Sequence, residues 1–293
     1  MRQQILVSAL GVALTAVPGI TTFPDAAGDL ARIAGPMLAA LGCIGAFDVT
    51  RPLRWAAIPI AILAACTSVV PPFFAWSSTP IIIAVGGAAV WLTFATPYQQ
   101  GSYGAGAEDA AERSSTPPGW SYNPSSWTER LPLVGVALLG FVTAGYLAAF
   151  QFGWIHTVWD PFFGRGTERI LTSGVSRLLP IPDAALGALG YLVDAVSAII
   201  GGRNRWRTMP WIVIVFGIAV GPLGAVSVLL VILQPIAFHA WCTLCLTSAV
   251  VSIVMIGPSM DEVLAGMQHV VRLRRRGVSW WDGFLGRDVS SRA

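Results

Sequence analysis

This sequence predicts an all-α, polytopic integral membrane protein with about eight transmembrane helices, on two grounds: how little charge it holds and how that charge is spaced. Of 293 residues, 55% are hydrophobic and 11% are charged, and the mean hydropathy is +0.67. A soluble domain of ordinary composition carries about 25% charged residues. Soluble and disordered chains are thereby excluded. All 18 basic residues are arginine, and 15 acids leave a net charge of +3, too little for a nucleic-acid binder judged by charge. Membrane lipid is the expected environment, and nucleic acid is not an expected partner.

A hydrocarbon core of about 30 Å needs roughly 20 apolar residues per helix. No charge falls from Gln3 to Pro24, from Trp55 to Ala107, from Leu131 to Trp159 or from Thr208 to Met260. The second and fourth runs each hold two spans and so must turn back. Pro71-Pro72 and Ser77-Ser78-Thr79-Pro80 supply one turn. Gln234-Pro235 supplies the other, with Pro235 suited to the first turn of the next helix. Weaker spans near 31–47 and 184–201 complete the set: 4–20, 31–47, 55–73, 79–97, 132–154, 184–201, 209–232 and 236–256. Met1–Gly19 also has the basic start and short apolar core of a signal peptide, but a small-x-small cleavage site is missing and the membrane pattern continues.

Fourteen arginines fall on one side of these spans and four, Arg32, Arg165, Arg169 and Arg177, on the other. Short cytoplasmic loops are enriched in positive charge, so both termini are expected in the cytoplasm and the 156–183 loop outside, as in a multi-pass protein of the bacterial inner membrane. Residues 98–130, rich in Gly, Ser, Pro and Tyr, read as a cytoplasmic linker between an N-terminal four-helix module (1–97) and a C-terminal domain (131–258). A basic tail (259–293) follows. Its arginine run and Trp280, Trp281 and Phe284 make an amphipathic helix suited to the anionic inner leaflet. In the first module, "TAVPGITTF" and "TSVVPPFFAW" look like two copies of one hairpin. They resemble the degenerate SPW repeat of bacterial membrane proteins, although the Ser-Pro-Trp tripeptide is absent.

Four cysteines, at 43, 66, 242 and 245, are too few for a disulfide scaffold. Cys43 and Cys66 are expected near opposite ends of adjacent spans, as small apolar fillers that do not pair. "FHAWCTLCLTSAV" sets Cys242 and Cys245 at Cys-x-x-Cys spacing in the opening turns of the last span, where residues i and i+3 face the same way. Unpaired N–H groups at a helix start favour negative charge, which makes Cys242 the expected nucleophile. Counted from Pro235, Cys242 should lie about 9 Å below the outer membrane edge, open to a partner from outside. Simple packing, metal binding with His239 or His156, and redox exchange all fit the pair. Its position facing an oxidising compartment favours redox exchange, and too few Cys and His converge for a closed metal site, so no metal is expected.

From Leu131 to about Pro258 the chain resembles the vitamin K epoxide reductase family. The matching features are a first span at 132–154, an outer loop containing "TERILTSGVSRLLPIPDAALGALGYL", two further spans, and "WCTLC" opening the fourth. The resemblance implies a four-helix membrane bundle that binds a quinone, ubiquinone or menaquinone, and passes electrons between it and the cysteine pair, with a periplasmic thioredoxin-like protein as partner. Cys242 would exchange electrons with thiols and Cys245 would face the quinone. Ser173 would match the family's loop serine, Tyr191 belongs to a matching Gly-x-x-x-Tyr (Gly187 to Tyr191), and Asp183 would stand near the position that hydrogen-bonds a quinone oxygen. A carboxylate there is a departure; it serves if protonated, or it caps the helix that follows. The family's second cysteine pair, in the outer loop, corresponds to Trp159 and Thr167, so no relay within the chain is possible. The tyrosine that follows the pair in the family is missing too.

Asp194, about 15 Å into its span, either carries a proton or ties its helix to a neighbouring Ser or Thr. Gly221-Pro222 is expected to bend the seventh span. His239 and Trp241 suit the interface, although His239 also stands one turn before Cys242. The expected activity is thiol–disulfide oxidoreduction coupled to quinone reduction. The alternative is a non-catalytic membrane scaffold or quinone sensor without the relay.

Overall fold

The computed structural model describes residues 1–21, 23–96, 116–177 and 180–287, and every regular element among them is helical. Two helices, α1 (Arg2–Ile20) and α2 (Asp25–Ile44), form a hairpin whose backbones touch. Glycine makes this approach possible: a Cβ on Gly11 would overlap the Ala39 amide, and one on Gly42 the Ser8 amide. Small residues serve this purpose generally in membranes, where apolar burial gives helices no preference for each other over lipid. A second hairpin joins α3 (Ala57–Ser68) to α4 (Thr79–Ala95), with Gly86 against the Ala61 carbonyl. Both copies of the sequence repeat fall at these hairpin turns. The span expected at 55–73 is only a twelve-residue helix preceded by a 3-10 turn, Arg51–Ala56. Pro71 disfavours helical backbone at the residue before it, and the Ser68 carbonyl accepts instead from the Thr79 hydroxyl at 2.9 Å.

In the second half, α5 (Trp127–Gln151), α7 (Asp183–Ile199), α9 (Pro210–Ala237) and α10 (Thr243–Arg275) form a bundle, with three short helices, α6 (Gly166–Leu171), α8 (Arg205–Thr208) and α11 (Trp280–Phe284), at its ends. Its core joins Leu133 and Ala137 to Tyr191, Phe216, Val251 and Met255. Gly140 leaves room for the Tyr191 ring, which would lie 2.7 Å from a Cβ there, and Gly217 and Gly224 admit Val263 and Ile256. The two halves meet where the Phe47 ring covers Gly257.

Among the described residues, eight helices of twelve residues or more lie where eight spans were expected. Five of them, α1, α2, α5, α9 and α10, are long and apolar enough to cross a membrane, which makes this a multi-pass membrane protein; α4 and α7 have 17 residues each. Three boundaries differ from expectation. Gln234-Pro235 is not the turn: α9, which also contains Pro222, continues past Pro235 to Ala237, where a proline in the last turn forfeits only one helical hydrogen bond. The turn is Phe238–Cys242, with His239 exposed at φ 47°. The last helix runs on to Arg275 through Pro258, because residues 116–126 hold its extension. Trp120 Nε1 donates to Gln268 Oε1 (2.9 Å), and the Tyr122 hydroxyl donates to Asp261 Oδ2 (2.6 Å). Third, α5 starts at Trp127, inside the stretch read as linker, whose residues 97–115 lie outside the described ones.

Candidate functional site

Cys242 has extended backbone (φ −129°, ψ 113°) and caps α10 instead of lying six residues inside it. Helix geometry brings Cys245 back over it, with Cα atoms 5.2 Å apart and the two sulfurs bonded. The Cys245 amide donates to Cys242 Sγ at 3.0 Å. A free donor of the helix start thus points at the sulfur, where it would favour a thiolate once the bond is reduced. On the α9 side, the buried Gln234 Oε1 accepts from the Cys242 amide at 2.9 Å. Cys43 and Cys66 are free, as expected.

The outer loop closes over this corner. Gly166, at the start of α6, packs directly on the Trp241 carbonyl, where any Cβ would overlap it. Asp160 joins loop to helix: Oδ2 accepts from the Thr243 amide (3.1 Å) and the Thr167 hydroxyl (2.5 Å), and Oδ1 from the Thr243 hydroxyl (2.5 Å) and the amides of Phe162 (3.0 Å) and Phe163 (2.9 Å). Cys242 is consequently 0% exposed, which corrects the expectation that it lies open to the outside. Trp159 is exposed and Thr167 buried at the positions corresponding to loop cysteines.

Burial alone would raise the Asp160 pKa, but the hydrogen bonds from Thr167, Thr243, Phe163 and Phe162 outweigh it and hold the carboxyl well below the usual carboxylate range. A depressed pKa contributes stability that is fully present above the unfolded value and is lost only as pH falls through the folded one. Loop closure should therefore be unchanged between neutral and mildly acidic pH. Asp160→Asn, which removes the charge from these bonds, is expected to speed reduction of the disulfide by a small water-soluble phosphine about tenfold, the equivalent of about 1.4 kcal/mol. An unchanged reduction rate would mean that Asp160 does not hold the loop.

On the other side of the disulfide is a cavity of about 270 Å³, and the sequence-predicted residues Ser173, Asp183, Tyr191 and Cys245 all line it. Cys242 does not. Asp183 opens α7 after Pro182, the N-cap, which offers no side-chain hydrogen bond. Its Oδ1 accepts from Gln151 Nε2 (2.6 Å), from the Ser176 hydroxyl (2.6 Å) and from the Ala184 amide (2.9 Å). The carboxylate is thus tied to α5 and the outer loop as well as to its own helix start. Tyr191 spans to α10, its hydroxyl 2.6 Å from the Ser248 carbonyl and 2.6 Å from the Ser252 hydroxyl. Asp194, one turn beyond Tyr191, is 2% exposed, and its Oδ2 has no hydrogen-bond partner. The expected tie to a Ser or Thr through that oxygen is not made.

A disulfide at a helix start, its Cys242 buried under a loop and its Cys245 beside a cavity, sits in a segment, residues 131–259, that matches the Vitamin K epoxide reductase family. The match covers that segment and leaves residues 1–130 outside it. No curated protein matches the chain, and no solved structure does. The vitamin K epoxide reductase family is one of membrane disulfide oxidoreductases, so the domain carries the cysteine pair such chemistry needs. Two residues that position this pair escaped the sequence reading. Asp160 lies in a polar loop beside Trp159, and its partner Thr243 is 83 residues away. Gln234, the sole polar side chain in the run from Val228 to Pro235, suits a turn by its sequence alone; a lone amide in an apolar helix end is the signal that points to the helix instead.

Proposed function

We propose that the protein is a quinone-dependent thiol–disulfide oxidoreductase of the bacterial inner membrane, with both termini in the cytoplasm and the cysteine pair at the periplasmic end. The observation that carries this reading is the division of the disulfide: Cys245 borders the cavity, while Cys242 sits behind it under the outer loop. Distribution of arginine supports the orientation, since Arg130 and Arg205 lie at the end of the bundle opposite the cysteines.

The cavity suits a flat ring in shape and chemistry. Its volume is near the lower end of small-molecule sites, its walls are mostly apolar, and Ser173, Ser176, Asp183, Tyr191 and Ser248 are among the residues that bring polar groups to it. Val226 and Leu230 of α9 line it while remaining exposed, so a prenyl chain would leave through this wall into lipid. A quinone, ubiquinone or menaquinone, supplies a two-electron, two-proton acceptor when bound.

The remaining chemistry belongs to the chain. A thiolate of an external dithiol, as on a periplasmic thioredoxin-like protein, attacks Cys242; the Cys242–Cys245 bond breaks and Cys245 leaves as a thiolate. The partner's second thiol then resolves the mixed disulfide, so the partner is oxidised and both cysteines are thiols. Re-forming the Cys242–Cys245 bond releases two electrons and two protons beside Cys245, which balances the acceptor's demand. Attack requires the loop held by Asp160 to shift, because the Cys242 sulfur is covered. Redox-dependent alkylation of membranes tests the cycle: both thiols should become reactive after a reduced dithiol is added and be protected again by a short-chain quinone. A pair that stays oxidised under the dithiol, or reoxidises equally without quinone, leaves the scaffold reading in its place.

A further inference from the structure

At the end of the bundle far from the disulfide, a second concavity of about 380 Å³ lies between α9, α10 and α11. Its wall exposes no polar atom and is built from Ile214, Met267, Val270, Val271, Trp280 and Phe284. Met267, Trp280 and Trp281 are more than half exposed, so the groove opens outward, not into the protein. Val270 is 27 residues beyond the start of α10, about 40 Å along the axis. That distance exceeds the hydrocarbon core and matches the depth of the opposite headgroup layer.

The charge beside the groove follows from helix periodicity. Arg274 stands four residues after Val270 and three after Val271, and Arg275 stands four after Val271, so both continue the stripe that forms the groove's floor. Both are exposed, and neither makes an ion pair among the described residues. Arg272 instead reaches the Pro118 carbonyl. The nearby acid on α11, Asp282, is taken up by Ser279 at 2.8 Å and Arg287 at 3.9 Å. The turn through Gly277, at φ 90°, folds the two tryptophans of α11 back over the groove. An apolar slot at headgroup depth, roofed by tryptophan and ending in two unneutralised guanidinium groups, complements one ligand class: an acyl chain joined to a phosphate.

We infer that this groove is a binding site for a single anionic phospholipid, with an acyl chain against Val270, Val271 and Trp280 and its phosphate held by Arg274 and Arg275. The site is independent of the disulfide chemistry proposed above and would stand if that proposal fell. A bound lipid would also clamp α11 onto α10 and α9.

Native mass spectrometry of the full chain, released from nanodiscs of equimolar phosphatidylglycerol and phosphatidylcholine, tests this. One phosphatidylglycerol per chain should be retained, in roughly tenfold preference to phosphatidylcholine. The R274Q/R275Q double variant should bring the two lipids to parity, whereas R169Q, at the disulfide end, should leave the preference intact. Because R274Q/R275Q changes only exposed side chains, its thermal midpoint in detergent should equal that of the parent, which separates lost lipid from lost fold. Millimolar inorganic phosphate should not displace the lipid. Equal retention of both lipids by the parent, preference surviving in R274Q/R275Q, or displacement by phosphate alone would each overturn the proposal, the last by reducing the site to one for a free anion.

Discussion

Replacing either Cys242 or Cys245 with serine is expected to abolish thiol-driven quinone reduction, by about 10³-fold or more, because neither half-reaction proceeds through one sulfur. The two variants should differ in what remains. Cys245→Ser leaves a lone thiol that is 0% exposed beneath the loop and accepts the Cys245-position amide as donor; it should react slowly with a water-soluble maleimide. Cys242→Ser leaves a thiol bordering the cavity, which should react with a membrane-permeant maleimide and be shielded by a quinone analogue. Equal shielding of both single thiols would contradict the assignment of Cys245 to the cavity side. Full activity in either variant would remove the redox reading altogether and leave a helical scaffold.

Much of this arrangement is legible along the chain, because the rules that set it are local. Gaps between charges locate six of the eight helices, since a charge within the hydrocarbon layer costs several kcal/mol. Cys-x-x-Cys at a helix start needs only periodicity to bring its sulfurs together. What could not be read depends on partners far away in sequence. The extension of α10 to Arg275 is held by Trp120 and Tyr122, 148 and 139 residues from their partners Gln268 and Asp261. Without them, Pro258 followed by Asp261 and Glu262 looks like the end of a span. Proline at 235 misleads for a related reason: its local effect is to break a helix, but Gln234, one residue before it, carries the amide that Cys242 needs, and helical geometry to Ala237 is what aims it there. Closure of the outer loop over Cys242 rests on Asp160 reaching Thr243, again beyond the range of periodicity. Arginines read only as markers of the cytoplasmic face turn out to be buried and structural.

Glu262→Ala is expected to destabilise the fold by about 3–5 kcal/mol, the usual cost of breaking one side of a buried ion pair. Glu262 is 2% exposed, and its carboxylate receives the Arg205 guanidinium and the Ser125 hydroxyl. Arg205, 1% exposed, also donates to the Ser197 and Ile200 carbonyls, while Arg130, 0% exposed, donates to those of Ala198 (2.7 Å), Gly201 (2.9 Å) and Ile200 (2.9 Å). Two guanidinium groups therefore satisfy the free carbonyls at the end of α7, where a cation also complements the helix dipole, and among the described residues Glu262 supplies the one carboxylate in contact with Arg205. With alanine at 262 that arginine becomes a buried charge without a counterion, and the last turn of α7 loosens. Glu262→Gln, which keeps an acceptor but not the charge, should lose less. Combining Glu262→Ala with Arg205→Met should cost less than the sum of the two single changes, because the second removes the charge that the first strands. Thermal unfolding of the purified protein in detergent reads each step. Since α7 also carries Asp183 and Tyr191 at the cavity, Glu262→Ala should weaken protection of Cys245 by a quinone analogue, although the substitution lies at the far end of the bundle. A thermal midpoint unchanged in Glu262→Ala would mean that solvent reaches Arg205, and strict additivity in the double variant would mean that the two side chains do not interact.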